Sequence, residues 1–222
     1  MKTFLIYLAL IFTLTSCANT PEEETGEIKT LQLLKQVFDG KKHSKIFVDA
    51  RTLLSREKID AVNIPILFVE MESGQNGTLL LYPGQGIGQT WLGADGATIT
   101  LDGGILKASR GMGDDLMGSS LNVPQWSKID DTTKTYLRKL SYITGNNKIL
   151  NLSFECKIKK NNQELIKVWG IEYSVTEFEE NCISGKINIE NRYHVDKQGI
   201  VRKSLQYHSE TVGYILTERI DR

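Results

Sequence analysis

The stretch that decides the fold is KINIENRYHVDKQGIVRKSLQYH, residues 186–208. Its first half alternates, so every second side chain points to the same face of an extended strand. The side chains that share this face are Ile187, Ile189, Asn191, Tyr193 and Val195. Asp196-Lys197-Gln198-Gly199 then has the composition of a turn and leads into a second extended run over residues 200–208. The stretch therefore predicts an antiparallel β-hairpin.

Extended runs of the same kind recur along most of the chain. They cover residues 64–71, 78–82, 97–101, 105–109, 149–158, 164–176, 186–195, 200–208 and 211–218. Asp102-Gly103-Gly104 is a strong hairpin turn between two of these runs, and residues 159–163 predict another. About nine strands at such spacing are typical of an antiparallel sandwich or barrel.

The order of the elements predicts a mainly β protein. Hairpin follows hairpin without alternating helices, which indicates bent antiparallel meander sheets that form a sandwich or an incomplete barrel. One N-terminal amphipathic helix is expected over residues 27–38, where apolar side chains recur at helical spacing. Residues 56–61 suit a second short helical turn, and residues 132–140 are also compatible with a helix.

The first 26 residues have the features of a targeting segment and a tether. Lys2 precedes an apolar run over residues 4–14, which is too short to span a membrane and is typical of a secretory signal. Leu14-Thr15-Ser16-Cys17 matches the lipobox of bacterial lipoproteins, in which the cysteine is acylated and becomes the first mature residue. We therefore expect a signal peptide over residues 1–16, lipidation at Cys17, a flexible tether over 17–26 and one β-rich domain over 27–222. The alternative is a plain secretory signal with an incidental cysteine.

Charge and sorting signals indicate the partners and the compartment. The 222 residues contain 27 basic and 27 acidic side chains, so no basic surface for nucleic acid is expected. The residue after Cys17 is Ala18 rather than Asp, which in enterobacterial-type sorting favours the outer membrane. The expected location is the outer membrane, with the lipid anchor in the bilayer and the body facing the periplasm.

The two remaining cysteines are Cys156 and Cys182. An even number of cysteines in an oxidising compartment favours a disulfide, and two unpaired buried thiols are the alternative. Neither cysteine has a CxxC partner, and the three histidines lie at no metal-ligand spacing to them. We therefore expect neither a metal site nor a cofactor.

The densest polar segment is LKASRGMGDDLMGS, residues 106–119. Arg110 supplies a planar donor fork, Gly111 and Gly113 permit close approach of another group, and Asp114 and Asp115 add carboxylates. The functional interpretation is a patch that binds a polysaccharide or a protein partner, or an aspartate pair that holds a divalent cation. The structural interpretation is a turn in which Arg110 pairs with one of the aspartates and Asp114 caps a helical turn.

No catalytic residues are predicted, because the chain lacks the hydrolase, metalloprotease and P-loop motifs. Glycoside hydrolysis needs two carboxyl groups across one bond, and no second acid is singled out. Six aromatic residues in or near strands suit either sugar stacking or core packing. These residues are Trp91, Trp126, Trp169, Tyr173, Tyr193 and Tyr207.

Several motifs together resemble the YjbF/GfcB family of lipoproteins from group 4 capsule and exopolysaccharide loci. They are the lipobox, RGMGDDLM at residues 110–117, NRY at 191–193 with KSLQ at 203–206, and most specifically WLGADGATITL at 91–101. The family pattern has tryptophans where this chain has His194 and Tyr207. The resemblance implies bent antiparallel sheets and a role in exporting or assembling a surface polysaccharide, and it carries no catalytic residues.

The expected function is therefore that of a non-catalytic, outer-membrane-anchored lipoprotein that assists export or assembly of capsule or exopolysaccharide. Its partners would be membrane lipid through acylated Cys17, and polysaccharide or a protein of the export machinery. The alternatives are a lipid-binding carrier with an apolar cavity and a polysaccharide-modifying enzyme.

Overall fold

A computed structural model describes residues 49–84, 86, 88–121, 126–129, 134–143, 146 and 148–221. The predicted signal peptide, Cys17, the tether and the helix predicted for residues 27–38 lie outside the described residues. Within the described residues, no helix combines the length and the apolar character needed to cross a membrane.

The described chain begins with two short helices and continues almost entirely in β-strands. The helices are α1 (Ala50–Leu53) and α2 (Arg56–Asp60), each capped by a side chain, Asp49 for α1 and Ser55 for α2. The strands are β1 (Ile66–Met71), β2 (Asn76–Tyr82), β3 (Gln89–Gly93), β4 (Thr98–Asp102), β5 (Ile105–Arg110), β6 (Asp115–Ser119), β7 (Lys134–Ile143), β8 (Ile149–Val168), β9 (Ile171–Ser184), β10 (Ile187–Asp196), β11 (Val201–Ser209) and β12 (Gly213–Arg219). A 3-10 turn covers Trp126–Lys128.

The twelve described strands form one antiparallel sheet that is nearly closed. Its order is β5-β4-β3-β2-β1-β12-β11-β10-β9-β8-β7-β6, so almost every strand pairs with its neighbour in sequence. β1 also pairs with β12, which joins the first strand to the last. β5 and β6 follow one another in sequence, but within the described backbone no ladder of hydrogen bonds joins them. The predicted mainly β meander is confirmed, and the seam between β5 and β6 makes it an incomplete barrel.

Two sequence predictions about the strands are wrong. Residues 159–163 do not form a hairpin turn, because β8 runs through them for 20 residues with a shift in register between Lys160 and Gln163. The hairpin instead turns at Trp169 and Gly170, whose φ angles are both positive, 47° and 88°. The described part of residues 132–140 is β-strand, not helix, because the side chains of β7 alternate between buried and exposed.

The core lies on both faces of the sheet, with one group on the inner face and a smaller one, which includes Ile59 and Phe68, on the other face of β1 beside α2. The larger group, on the inner face, joins buried residues of β1 to β10 and β12, including Trp91, Phe154 and Ile215. The β4–β5 hairpin folds across the inner face of β11, where Leu106 N donates to Gln206 Oε1 at 2.8 Å. A Cβ atom at Gly104, which has a φ of +86°, would lie 2.2 Å from Val201 Cγ2, so this approach requires glycine.

A buried polar cluster on β7, β9 and β10 surrounds the Glu180 carboxylate. It accepts hydrogen bonds from Tyr136 Oη at 2.5 Å, Arg138 Nη1 at 2.7 Å, Asn191 Nδ2 at 2.6 Å and Tyr193 Oη at 2.8 Å. Burial alone would raise the pKa of Glu180, but the charge of Arg138 and the three neutral donors hold it below its ordinary value. Glu180 is therefore a buried carboxylate that its surroundings keep ionised.

Candidate functional site

The predicted polar segment forms the end of β5, a short loop and the start of β6. Arg110 Nη1 donates to the carbonyl oxygens of Ser109 at 2.5 Å and Leu116 at 2.9 Å, and Asp115 Oδ1 accepts from Gly111 N at 2.8 Å. These bonds replace the Arg–Asp ion pair of the structural interpretation. Asp114 does not cap a helical turn, because β6 begins at the next residue. The charged side chains therefore hold the loop in place across the seam.

The glycine part of the same segment forms one wall of an open groove of about 900 Å³. The opposite walls come from the β1–β2 hairpin and from the turn between β3 and β4. The groove is lined by Val69, Met71, Gln75, Asn76, Gly77, Thr78, Leu79, Gly93, Ala94, Asp95, Ala97, Gly111, Met112 and Gly113. Of the five predicted patch residues, Gly111 and Gly113 line this groove, whereas Arg110, Asp114 and Asp115 do not.

The groove exists because β2 is longer than the strand beside it. The ladder between β2 and β3 ends at the pair Leu79–Gly93, so Asn76, Gly77 and Thr78 extend past the end of β3. Gly77 pairs with Val69 of β1 and has no side chain to cover it. A Cβ atom at Gly77 would meet nothing within 4 Å, which shows that this part of the groove is free space.

The chemistry of the groove is that of a recognition surface. It offers the amides of Gln75 and Asn76, the hydroxyl of Thr78 and a floor of buried Val69 and Leu79. Asp95 is the single carboxylate among the described lining residues, and its Oδ1 accepts from Ala97 N at 3.0 Å. Hydrolysis of a glycoside generally uses two carboxyl groups, and the described lining of this groove supplies one. Its open side also differs from the enclosed apolar cavity of a lipid carrier.

Comparison with known families identifies the chain. Residues 32–220 match the family model described as "Group 4 capsule polysaccharide lipoprotein gfcB, YjbF". The chain belongs to the YjbF family. The match begins within the predicted N-terminal helix and extends through β12, which confirms the resemblance inferred from the motifs.

A solved structure supports the fold of this YjbF-family chain. The hypothetical lipoprotein YmcC from Escherichia coli K12 superposes with a TM-score of 0.67 at 18% sequence identity. The alignment covers 82% of this chain and 98% of YmcC. At this identity the likeness concerns the fold. The comparison with curated protein sequences gave no match.

The seam of this YjbF-family fold contains a serine–histidine pair that the sequence did not reveal. Ser109 Oγ lies 2.7 Å from His208 Nε2 and accepts from Leu116 N at 3.1 Å. Burial lowers the pKa of His208 to about 4, although Asp114 and Asp115 act in the opposite direction. Ser109 and His208 are 1% and 0% exposed. The pair therefore joins β5, β6 and β11 at the seam, and neither residue lines the groove.

The aromatic residues divide into two groups. Trp91, Trp126 and Tyr193 are buried, and Trp126 packs against Phe178 and Tyr193 with ring centroids 5.1 Å apart in both contacts. Trp169, Tyr173 and Tyr207 are half-buried. The core-packing interpretation is therefore correct for the first three, and none of the six is an exposed stacking platform.

Cys156 and Cys182 form the predicted disulfide between opposite residues of β8 and β9. The Glu180 carboxylate converges with the two sulfur atoms within 4.8 Å. Because both sulfur atoms are in the disulfide, they are not available as thiolate ligands for a metal ion.

Proposed function

We propose that this YjbF-family protein is a lipoprotein, anchored through Cys17 in the outer membrane and facing the periplasm, that assists export or assembly of capsule or exopolysaccharide without catalysing a reaction. The observation that carries the proposal is the family match over residues 32–220, which is nearly the whole expected mature body. The groove beside Gly111–Gly113 is the surface through which the body would contact the polymer or a protein of the export machinery.

The anchor is tested by Cys17→Ser, which removes the thiol that would carry the diacylglycerol. Several acyl chains bind a bilayer stably because each buried CH₂ contributes about 0.8 kcal/mol. We expect the wild-type protein to sediment with outer-membrane fractions and the variant to leave them. Mass spectrometry of the wild-type N-terminus provides the second measurement. An unacylated start site, or a variant that still sediments with membranes, would contradict the proposed anchor.

The role of the groove is tested by Gly77→Trp, which fills it from a strand position where a side chain has space. The indole would cover Val69 and narrow the cleft opposite Gly111–Gly113. Gly118→Trp is the matched control, because Gly118 lies in β6, does not line the groove and also has nothing within 4 Å of a Cβ position. Both variants are introduced into a strain that lacks the chromosomal gene.

We expect deletion of the gene to abolish or strongly reduce surface polysaccharide, and the wild type and Gly118→Trp to restore it. Gly77→Trp is expected to restore less than about a tenth, a loss equivalent to roughly 1.4 kcal/mol of binding. Protein level and melting temperature are measured in parallel. Normal polysaccharide in the deletion strain would refute the proposed function, whereas full complementation by Gly77→Trp would refute only the role of the groove.

A further inference from the structure

A second, smaller pocket also uses β1 and β3. It lies towards the ends of these two strands that are farther from the groove. Its volume is about 180 Å³. Its walls include Leu67 and Trp91, whereas the groove uses Val69 and Gly93 on the same two strands. Its rim includes Gln89, Gly103 and Gly199, which are exposed, so the pocket opens to solvent.

Trp91 gives this pocket a buried hydrogen-bond donor without an acceptor. The side chain is 1% exposed, and its Nε1 has no hydrogen-bond partner among the described residues. The other two tryptophans are satisfied, since Trp126 Nε1 donates to Gly103 O and Trp169 Nε1 donates to Glu218 Oε2, each at 2.9 Å. A buried indole N–H normally has an acceptor, and Trp91, a wall residue of the pocket, is an exception.

Arg219 adds charged donors to the same pocket. Its guanidinium carbon lies 5.3 Å from the centroid of the Trp91 ring. Nε donates to the Asp221 carboxylate, at 2.9 Å to Oδ1 and 3.2 Å to Oδ2, while the two Nη groups have no acceptor within the described part of the chain. The terminal edge of a guanidinium matches the two oxygens of a carboxylate.

The other polar side chains that line the pocket are uncharged. The Gln89 amide stands at the exposed rim, and Thr217 Oγ1 is already hydrogen-bonded to Ser204 Oγ at 2.6 Å. The available groups are therefore mainly donors, and the only cation among the described lining residues is Arg219. At roughly 30 Å³ for each water, the pocket has the volume of about six waters, which suits one sugar ring and not an oligosaccharide.

We propose that this pocket binds one carboxylate-bearing sugar residue, a uronic acid unit of a glycan. The carboxylate would accept from the Nη groups of Arg219, and a ring or hydroxyl oxygen would accept from the indole N–H of Trp91. This inference rests on the proposed function, because it takes the exported polymer as the source of the sugar.

The test uses the full-length acylated protein in detergent micelles, with its tryptophan indole groups labelled for NMR. D-glucuronate is the probe, and D-glucose is its matched uncharged analogue. We expect glucuronate to shift the Trp91 indole resonance saturably and to leave that of Trp169 unchanged. Trp91→Phe assigns the resonance because it removes the N–H group and keeps an aromatic ring.

Two variants test the guanidinium of Arg219. Arg219→Gln removes its positive charge, whereas Arg219→Lys keeps the charge but loses the planar arrangement of N–H donors. Both are expected to raise the dissociation constant for glucuronate by about tenfold or more. Arg192→Gln is the control, because Arg192 is exposed and pairs with Glu190 on β10. Unchanged Trp126 and Trp169 resonances report that each variant is folded.

A Trp91 resonance that responds to neither sugar would overturn the proposal. An equal response to glucose and glucuronate, or unchanged binding in the Arg219 variants, would overturn the assignment of the carboxylate. Glucuronate binding combined with normal surface polysaccharide in the gene deletion would keep the sugar site and refute the proposed function.

Discussion

Replacing Glu180 with leucine is expected to lower the free energy of unfolding by about 3–5 kcal/mol. The substitution leaves the Arg138 guanidinium buried without its counter-charge, since Arg138 is 1% exposed. It also removes the acceptor of Tyr136, Asn191 and Tyr193 at once. The effect is measured as a shift of the denaturant midpoint at constant slope.

Arg138→Met is expected to lower the free energy of unfolding by less than Glu180→Leu does. In that variant the carboxylate keeps three neutral hydrogen-bond donors, which continue to stabilise its charge. Glu190→Leu is the control for removing a glutamate, because the Glu190–Arg192 pair is exposed and such pairs contribute about 0–1 kcal/mol. If Glu180→Leu lowers the free energy of unfolding no more than Glu190→Leu does, the cluster around Glu180 does not stabilise the fold.

The sequence predicts the hairpins best where the turn chemistry is unambiguous. The Asp102-Gly103-Gly104 turn joins β4 to β5, and Asp196-Lys197-Gln198-Gly199 joins β10 to β11, both as expected. The β8–β9 turn is missed because Trp169 adopts a positive φ, which a bulky residue rarely does. The polar residues 159–163 resemble a turn but form a bulge, since tertiary pairing with β9 overrides local composition.

Three further strands, β3, β6 and β7, escape sequence analysis. β3 and β6 directly follow glycine-rich segments, which are typical of loops, so the short runs beyond them are not recognised as strands. β7 includes Arg138, a charged residue at an inward position that breaks the apolar period. Its partner Glu180 is 42 residues away in sequence, so no local pattern could indicate that the charge is paired.

The sequence singles out a segment that lies beside the groove, and its role in binding stays a prediction. The segment over residues 106–119 does reach a groove, but through Gly111, Met112 and Gly113 rather than through its charged side chains. Sequence analysis favours the charged residues because they carry recognisable chemistry, whereas the space over Val69 depends on which residue lies opposite in the next strand. The pairing of Ser109 with His208 likewise joins residues 99 apart and follows from the sheet topology alone.

Loss of the disulfide is the second large effect expected. The bridge closes a separation of 26 residues, for which the loop-entropy relation gives a stabilisation of about 3–4 kcal/mol. Both cysteines are 0% exposed in the apolar core, so alanine is the suitable replacement and serine would add a buried hydroxyl. We expect Cys156→Ala to lower the free energy of unfolding by at least about 3 kcal/mol.

The comparison of single and double variants separates the covalent bond from packing. If the disulfide supplies the stability, Cys156→Ala alone already removes that stabilisation. The double variant Cys156→Ala/Cys182→Ala then loses only the additional packing of the second sulfur atom. If the two residues acted as separate thiols, their effects would instead add, each at about 1 kcal/mol as for small losses of buried volume. Alkylation of the unfolded, unreduced wild-type protein gives an independent measurement, because a bridged pair is modified only after a reductant is added. Ready alkylation without reductant, or additive single variants, would show that these residues stabilise the sheet by packing alone.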